Sequence, residues 1–315
     1  MGSALAVGPI ISGIVLRFTT WQGLFIVFMI IISLVIVLSL KTIVNVMPQV
    51  PSHLDWLSVV SLVGFIGVLY VINLVGTPGV NWGIASVILI VSIVLLLFFG
   101  IRQLRLPEPL LDLRVFKVRQ FNASVWLTGL SYIALIVVTI VFPLYYQIIL
   151  GVSPFISGMA LVPGALFLSI LNPLTGRLAD KIGFKKVLLI GMTMILVGWG
   201  VLALVPVKFS LWGMMPIAML IEGGNAFVMM PATTLGADAL PNEKVSHGTA
   251  VITTMRQLLG STGVAVATIL LSLGGVATAT LGNFHIVFIT FFILEIIGLL
   301  LALTLKEKKV QNQNG

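Results

Sequence analysis

An all-α integral membrane fold with about ten transmembrane helices is what this sequence predicts, and three observations carry the prediction. The 315 residues are 59% hydrophobic and 8% charged, with a mean hydropathy of +1.21, whereas soluble domains carry about a quarter charged residues. The apolar residues fall in segments of roughly twenty, enough to cross a bilayer as a helix. The basic residues collect in short joins on one side, as those of cytoplasmic loops do.

Several function classes drop out at once. The formal charge of +8 resides in short loops, so it is no nucleic-acid footprint. Cysteine is absent, and His53, His247 and His285 are scattered, so no thiolate or helical histidine pair offers a metal site. Gly129-Leu130-Ser131-Tyr132 offers a serine in the manner of an intramembrane protease. No histidine lies deep in a span to act as its base, so an enzyme is not expected, nor is a prosthetic cofactor. Met1 onward has neither the basic start nor the cleavage site of a signal peptide.

Hydropathy places the spans at about 2–17, 21–40, 55–75, 82–101, 121–149, 154–175, 187–205, 210–237, 247–273 and 284–305. The join from Asn172 to Lys186 orients them. It carries Arg177, Lys181, Lys185 and Lys186 between two apolar segments, so it belongs on the cytoplasmic side. Alternation from there puts all but three of the 17 basic residues inside, the exceptions being Arg17, Lys208 and the in-span Arg256. Both termini are then cytoplasmic. Trp21, Trp56, Trp82 and Trp212 stand at span ends as interfacial anchors. Gly176 and Gly183 suit tight turns at the edges of the join, and Asp180 is placed to cap the next helix or pair with Arg177. Read as Gly-Arg-Leu-Ala-Asp-Lys-Ile-Gly-Phe-Lys-Lys over 176–186, this join closely resembles the signature loop of the major facilitator superfamily of secondary transporters.

Residues 1–40 hold two spans. In the first, Ala4, Gly8 and Ser12 recur every fourth residue, which makes a face for close helix approach, and Pro9 bends the helix. Gly8-Pro9-Ile10-Ile11-Ser12-Gly13 also resembles the fifth-helix motif of major facilitator antiporters, although that pattern has glycine where Ala4 and Ser12 stand. The resemblance implies a seal against leak, and so antiport rather than facilitated diffusion.

Residues 41–120 form a linker with two extra spans and a basic loop. Asp55-Trp56 and Pro107-Glu108-Pro109-Leu110-Leu111-Asp112-Leu113-Arg114-Val115-Phe116 resemble the corresponding parts of fourteen-span drug:proton antiporters. Residues 121–306 then match a six-helix C-terminal half, with 307–315 as a cytoplasmic tail. Tyr145-Tyr146-Gln147, Gly151-Val152-Ser153-Pro154, Pro163-Gly164 and Arg256-Gln257 with Gly260, Gly263 and Ala265 fall at that family's spacing. The resemblance implies inverted three-helix repeats, here about 121–205 and 210–305. It also implies that four family spans would precede Met1, so a partial transporter that does not act alone is expected.

Coupled transport needs a titratable group at membrane depth. Glu222 lies about ten residues into its span, roughly 15 Å from the outer end, with Gly223, Gly224 and Asn225 giving room and a polar neighbour. Desolvation there favours the neutral acid, as a proton carrier requires; the alternative is a hydrogen-bonded acid in a helix contact. Arg256 is open to pairing with Glu222 or Asp238, or to snorkelling. Glu295 is equally deep, in a helix that the resemblance makes peripheral. Asn172, Asn225, Gln147 and Gln257 are candidate polar liners, whereas Tyr132, Phe142, Tyr145, Tyr146 and Trp126 suit packing or a belt.

The expected fold is therefore the major facilitator fold, N-terminally truncated, in a multi-pass cell-membrane protein. The resemblance implies proton-coupled efflux of amphipathic or cationic drugs by alternating access, with the bilayer, protons and a small amphipath as partners. A metabolite or sugar facilitator of the same fold, or a non-transporting membrane remnant, stays open beside it.

Overall fold

The computed structural model describes residues 11–12, 15, 18–42, 55–74, 79–107, 109–205, 208–273 and 279–305. Gly8, Pro9 and Gly13, with most of the first expected span, lie outside these residues, as does the tail from Lys306. Among the described residues every regular element is helical. The α-helices are α1 (Trp21–Thr42), α2 (Trp56–Ser61), α3 (Val63–Leu74), α4 (Trp82–Arg105), α5 (Arg119–Ile148) and α6 (Pro154–Met159). After them come α7 (Val162–Ile182), α8 (Phe184–Leu204), α9 (Leu211–Ala237), α10 (Val245–Ser272) and α11 (Leu281–Leu303). Eight stretches of these are long and apolar enough to cross a membrane.

Two expected spans are broken, each for a local reason. The span at 55–75 divides at Leu62, where Ser61 turns its hydroxyl back onto the Ser58 carbonyl at 2.8 Å. The span at 154–175 divides between α6 and α7. Pro163 sits in the first turn of α7, a position where its missing N–H costs nothing but from which it cannot extend a preceding helix.

The expected basic loop is a single residue. α7 runs to Ile182 and α8 begins at Phe184, with Gly183 between them at φ +91°. The left-handed backbone that this hinge needs strongly favours glycine. Gly176 is no turn residue: it lies inside α7, and a Cβ there would meet nothing within 4 Å. Asp180 is exposed, caps no helix and makes no ion pair with Arg177 among the described residues. The hinge closed by glycine alone leaves no helix start within its reach.

Helices α5 and α7–α11 form one bundle around α9, which packs on α5, α7 and α8. The partners interchange in a regular way. α7 packs on α9 as α10 packs on α5, α8 on α9 as α11 on α5, and α8 meets α11 directly. This is the relation expected of two three-helix repeats exchanged across the α5–α9 contact. α8 and α9 cross closely, and a Cβ built on Gly191 would stand 2.7 Å from the Gly224 carbonyl oxygen. In lipid, where apolar burial gives helices no drive to associate, such small-residue contacts are what packing relies on.

The neighbouring residues fix each helix direction. Gly164 meets Glu222 and Thr175 meets Ala226, so α7 and α9 run parallel. Ser131 meets Asn225 and Ser124 meets Gly236, so α5 runs against them. The start of α5, the α7–α8 hinge and the α9–α10 join therefore share one end of the bundle. Arg119, the Arg177–Lys186 cluster and Lys244 all lie there. The opposite end is filled by Phe142, Tyr145, Tyr146, Trp199, Phe284, Phe288 and Phe291, stacked edge to face or tilted at 5.3–6.4 Å. These rings are buried, in keeping with the packing role expected of the tyrosines and Phe142.

The linker is tied to the basic end. Arg102 donates to both Asp55 oxygens at 2.6 and 2.8 Å, and the Ser58 hydroxyl donates to Asp55 at 2.6 Å. Buried Gln103 bridges the Ser58 hydroxyl and the Leu111 amide. Asp112 then pairs with Lys244 at 3.0 Å while accepting from the Arg114 amide. Val115 beside it sits in a small core with Phe121, Val125, Leu240, Val251 and Ile252.

Candidate functional site

Helix α9 positions the central acid. Ser210 caps its start by accepting from the Gly213 amide at 3.2 Å, and no charged residue interrupts the first three turns before Glu222. Glu222 is 1% exposed. Its Oε2 is buried without a hydrogen-bond partner. The carboxyl lies flat against Gly164 of α7, where a Cβ would stand 2.9 Å from Cδ and 3.0–3.1 Å from the two oxygens. Gly223, next along, faces the ring of Phe167 and Met194, and Gly224 faces Gly191 and Ile195. The two glycines thus admit neighbouring helices rather than opening space around the acid. Tyr146 of α5 interacts electrostatically with Glu222, and its hydroxyl is also buried without a partner.

Asn225, one turn further, is buried and committed to a helix contact. Its amide donates to the Ser131 carbonyl at 2.8 Å and to the Ser131 hydroxyl at 2.6 Å, which fastens α9 to α5. Asn225 Oδ1 remains unpartnered. On the other side of α9, Thr175 of α7 donates to the Ala226 carbonyl at 3.0 Å. Polar side chains therefore lock both flanks of α9 within a turn of Glu222.

Arg256 of α10 pairs with neither Glu222 nor Asp238 among the described residues, and at 6% exposure it does not snorkel. Its guanidinium lies over the Tyr132 ring, 5.3 Å from the centroid, and its Nε is buried without a partner. An aromatic face stands in for the missing carboxylate. Tyr132 in turn donates to Gln257 Oε1 at 3.1 Å, and a groove of about 270 Å³ opens beside them. Of the other candidate liners, Gln147 is exposed, and Asn172 has a buried, unpartnered Oδ1. Glu295 of α11 is fully buried with neither oxygen bonded.

Glu222 and Asn225 thus lie a turn apart on α9, the first against α7 and the second against α5, and Arg256 is held apart on α10. Sequence reasoning missed the residues that complete the site. Gly164 was visible only as part of Pro163-Gly164, Ser131 was read only for a protease-like serine and not as a partner of Asn225, and Tyr132 read as packing although it lines the groove.

A comparison with known families places this architecture. The family model of the Major Facilitator Superfamily matches residues 56–264. The chain belongs to the major facilitator superfamily. Among the relatives of this superfamily protein is a lincomycin resistance protein, LmrB, of Listeria monocytogenes. It is 32% identical over 274 residues, covering 86% of this chain and 58% of LmrB. An uncharacterized MFS-type transporter of Bacillus subtilis, YcnB, is 31% identical over 312 residues, which is 96% of this chain and 66% of YcnB. A putative multidrug resistance protein, MdtD, of Pectobacterium carotovorum is 29% identical over 204 residues, 63% of this chain and 43% of MdtD. The chain spans less than two thirds of the length of LmrB and of YcnB. It is a multi-pass membrane protein of a transporter family, related to multidrug and lincomycin resistance proteins, and not an enzyme.

Proposed function

We propose that this chain is part of a proton-coupled drug exporter of the fourteen-span kind, with Glu222 as the residue that takes up and releases the proton. The observation that carries this reading is the Glu222 carboxyl at mid-span, with one oxygen uncommitted and a glycine, Gly164, left open in front of it. A carboxyl with no donor to Oε2 has that position free for a proton. The names of LmrB and MdtD support a drug as the coupled substrate.

In this reading residues 1–40 supply the last two helices of the N-terminal half, 41–120 the linker pair, and 121–306 the six-helix C-terminal half, with 307–315 as a tail. The basic end faces the cytoplasm, by the retention of lysine and arginine on that side, so both termini are cytoplasmic. Gly183 is the pivot of the α7–α8 hinge. Arg177 and Lys185 hold that hinge at the inner surface, while Gly176 and Asp180 act with them in the conformational motif. Gly8, Pro9 and Gly13 serve in the same reading as the leak seal. Asn225 and Arg256 keep α9 and α10 in place while the halves rock about the midplane.

The test is drug-driven proton flux in proteoliposomes of the full-length transporter that contains this chain, comparing the native form with Glu222→Gln. Loss of flux with drug binding retained supports the assignment; unchanged coupling removes it.

A further inference from the structure

The groove beside Arg256 lies where the linker pair meets the C-terminal six helices. Leu69 of α3 forms one wall, Tyr132 and Ile136 of α5 the floor, and Gln257, Ser261 and Val264 of α10 the other wall. Gly260 is what lets it exist, because a Cβ there would stand 2.7 Å from the Tyr132 ring. One end of the groove is apolar and the other polar, and the polar end is unusual in its balance of groups.

Its hydrogen-bonding groups include donors that no side chain uses. Tyr132 uses its proton on Gln257 Oε1, which leaves the Gln257 amide nitrogen and the Ser261 hydroxyl turned to the groove. The nearest charge is Arg256, nine-tenths buried behind the tyrosine ring with its Nε unpartnered. Among the described residues no aspartate or glutamate lines the groove. A cation entering here would be desolvated against a guanidinium with no compensating carboxylate, which is costly in low dielectric. An acceptor-bearing head group would instead complete free donors.

We propose that this groove is a binding subsite for lipophilic molecules with a neutral or anionic acceptor head, and that it excludes cations. The inference rests on the exporter reading for its biological use and narrows that reading's substrate class at this subsite. It does not depend on Glu222. The apolar body lies between Leu69 and Ile136, and the head reaches Gln257 and Ser261. The linker helix α3 is then part of the recognition surface and not a spacer alone.

Three probes with one tail separate the outcomes: 1-pyrenebutyric acid, 1-pyrenebutanol and pyrenebutyl-trimethylammonium, titrated against the full chain in zwitterionic nanodiscs, with empty discs as the partition control. The acid and the alcohol are expected to bind above that control and the ammonium probe not to. Gln257→Ala and Ser261→Ala should each weaken both binders about fivefold, the worth of one ordinary hydrogen bond. Arg256→Gln should weaken the acid alone, and Gly260→Ala should remove binding of both. Equal binding of the ammonium probe, or affinities unmoved by all four substitutions, overturns the proposal. Because binding is read without transport, this binding pattern together with a full-length transporter that shows no Glu222-dependent proton coupling contradicts the exporter reading and leaves the subsite standing.

Discussion

Gly164 and Glu222 touch. The carboxyl of the one lies where the side chain of any other residue at the first would have to be, 2.9 Å from a Cβ at that position. The acid is therefore held by the absence of a side chain on α7 as much as by its own helix.

Gly164→Ala should consequently displace the Glu222 carboxyl while leaving the bundle folded. The expected outcome is a loss of drug-dependent proton release of tenfold or more at saturating drug, in the manner of misplaced reacting groups. A pH-dye assay on the reconstituted chain checks it. Retention of native release would show that the contact does not position the acid.

The two glycines of the basic motif should respond in opposite ways. Gly183 sits at φ +91° and ψ +147°, so Gly183→Ala should cost about 1–3 kcal/mol in backbone strain. Gly176 is helical with open space at its Cβ, so Gly176→Ala should be neutral or stabilising by up to about 1 kcal/mol. Thermal unfolding in detergent compares the two; equal effects would contradict the placement of the hinge.

Asn225 and Ser131 should be energetically coupled. A double-mutant cycle of Asn225→Ala and Ser131→Ala is expected to give about 0.6–1.7 kcal/mol, the range of interhelical hydrogen bonds in membranes. Additive losses would mean that the bond from the Asn225 amide to the Ser131 hydroxyl contributes nothing beyond packing; the bond to the Ser131 carbonyl survives the serine substitution and lies outside the cycle.

The clamp between linker and bundle should weaken in acid. Burial pushes the Asp112 carboxyl up, but the Lys244 ammonium and the Arg114 amide outweigh it and hold it below its usual value. A group depressed in the folded state stabilises the fold above its unfolded pKa, about 3.9, and that contribution is lost as pH falls through the folded value. The melting difference between the native chain and Lys244→Ala should thus persist at neutral pH and shrink as pH drops below about 4. A difference that grows in acid would reverse the sign and exclude the pair as its cause.

How much of this was legible beforehand follows from which forces act locally. The basic end could be read from Arg177, Lys181, Lys185 and Lys186, because charge between two apolar segments has to stay in water whatever the tertiary packing. The depth of Glu222 followed from counting along one span. The single-residue hinge did not, since Gly176 and Gly183 look alike in sequence and only the packed helices show which one bends. Arg256 misled for a related reason. Its sequence suggested a carboxylate partner, but its neighbour is the ring of Tyr132, supplied by a helix more than a hundred residues away. The break at Leu62 was hidden as well, because a serine hydroxyl turned back onto a carbonyl within one apolar stretch, as Ser61 is onto Ser58, leaves no mark on its hydropathy.

The central claim is that the Glu222 carboxyl exchanges a proton when drug binds, and proton release measured on drug addition to the chain in unbuffered nanodiscs tests it most directly. The account predicts release from the native chain and none from Glu222→Gln with drug affinity retained. Undiminished release from Glu222→Gln would contradict it.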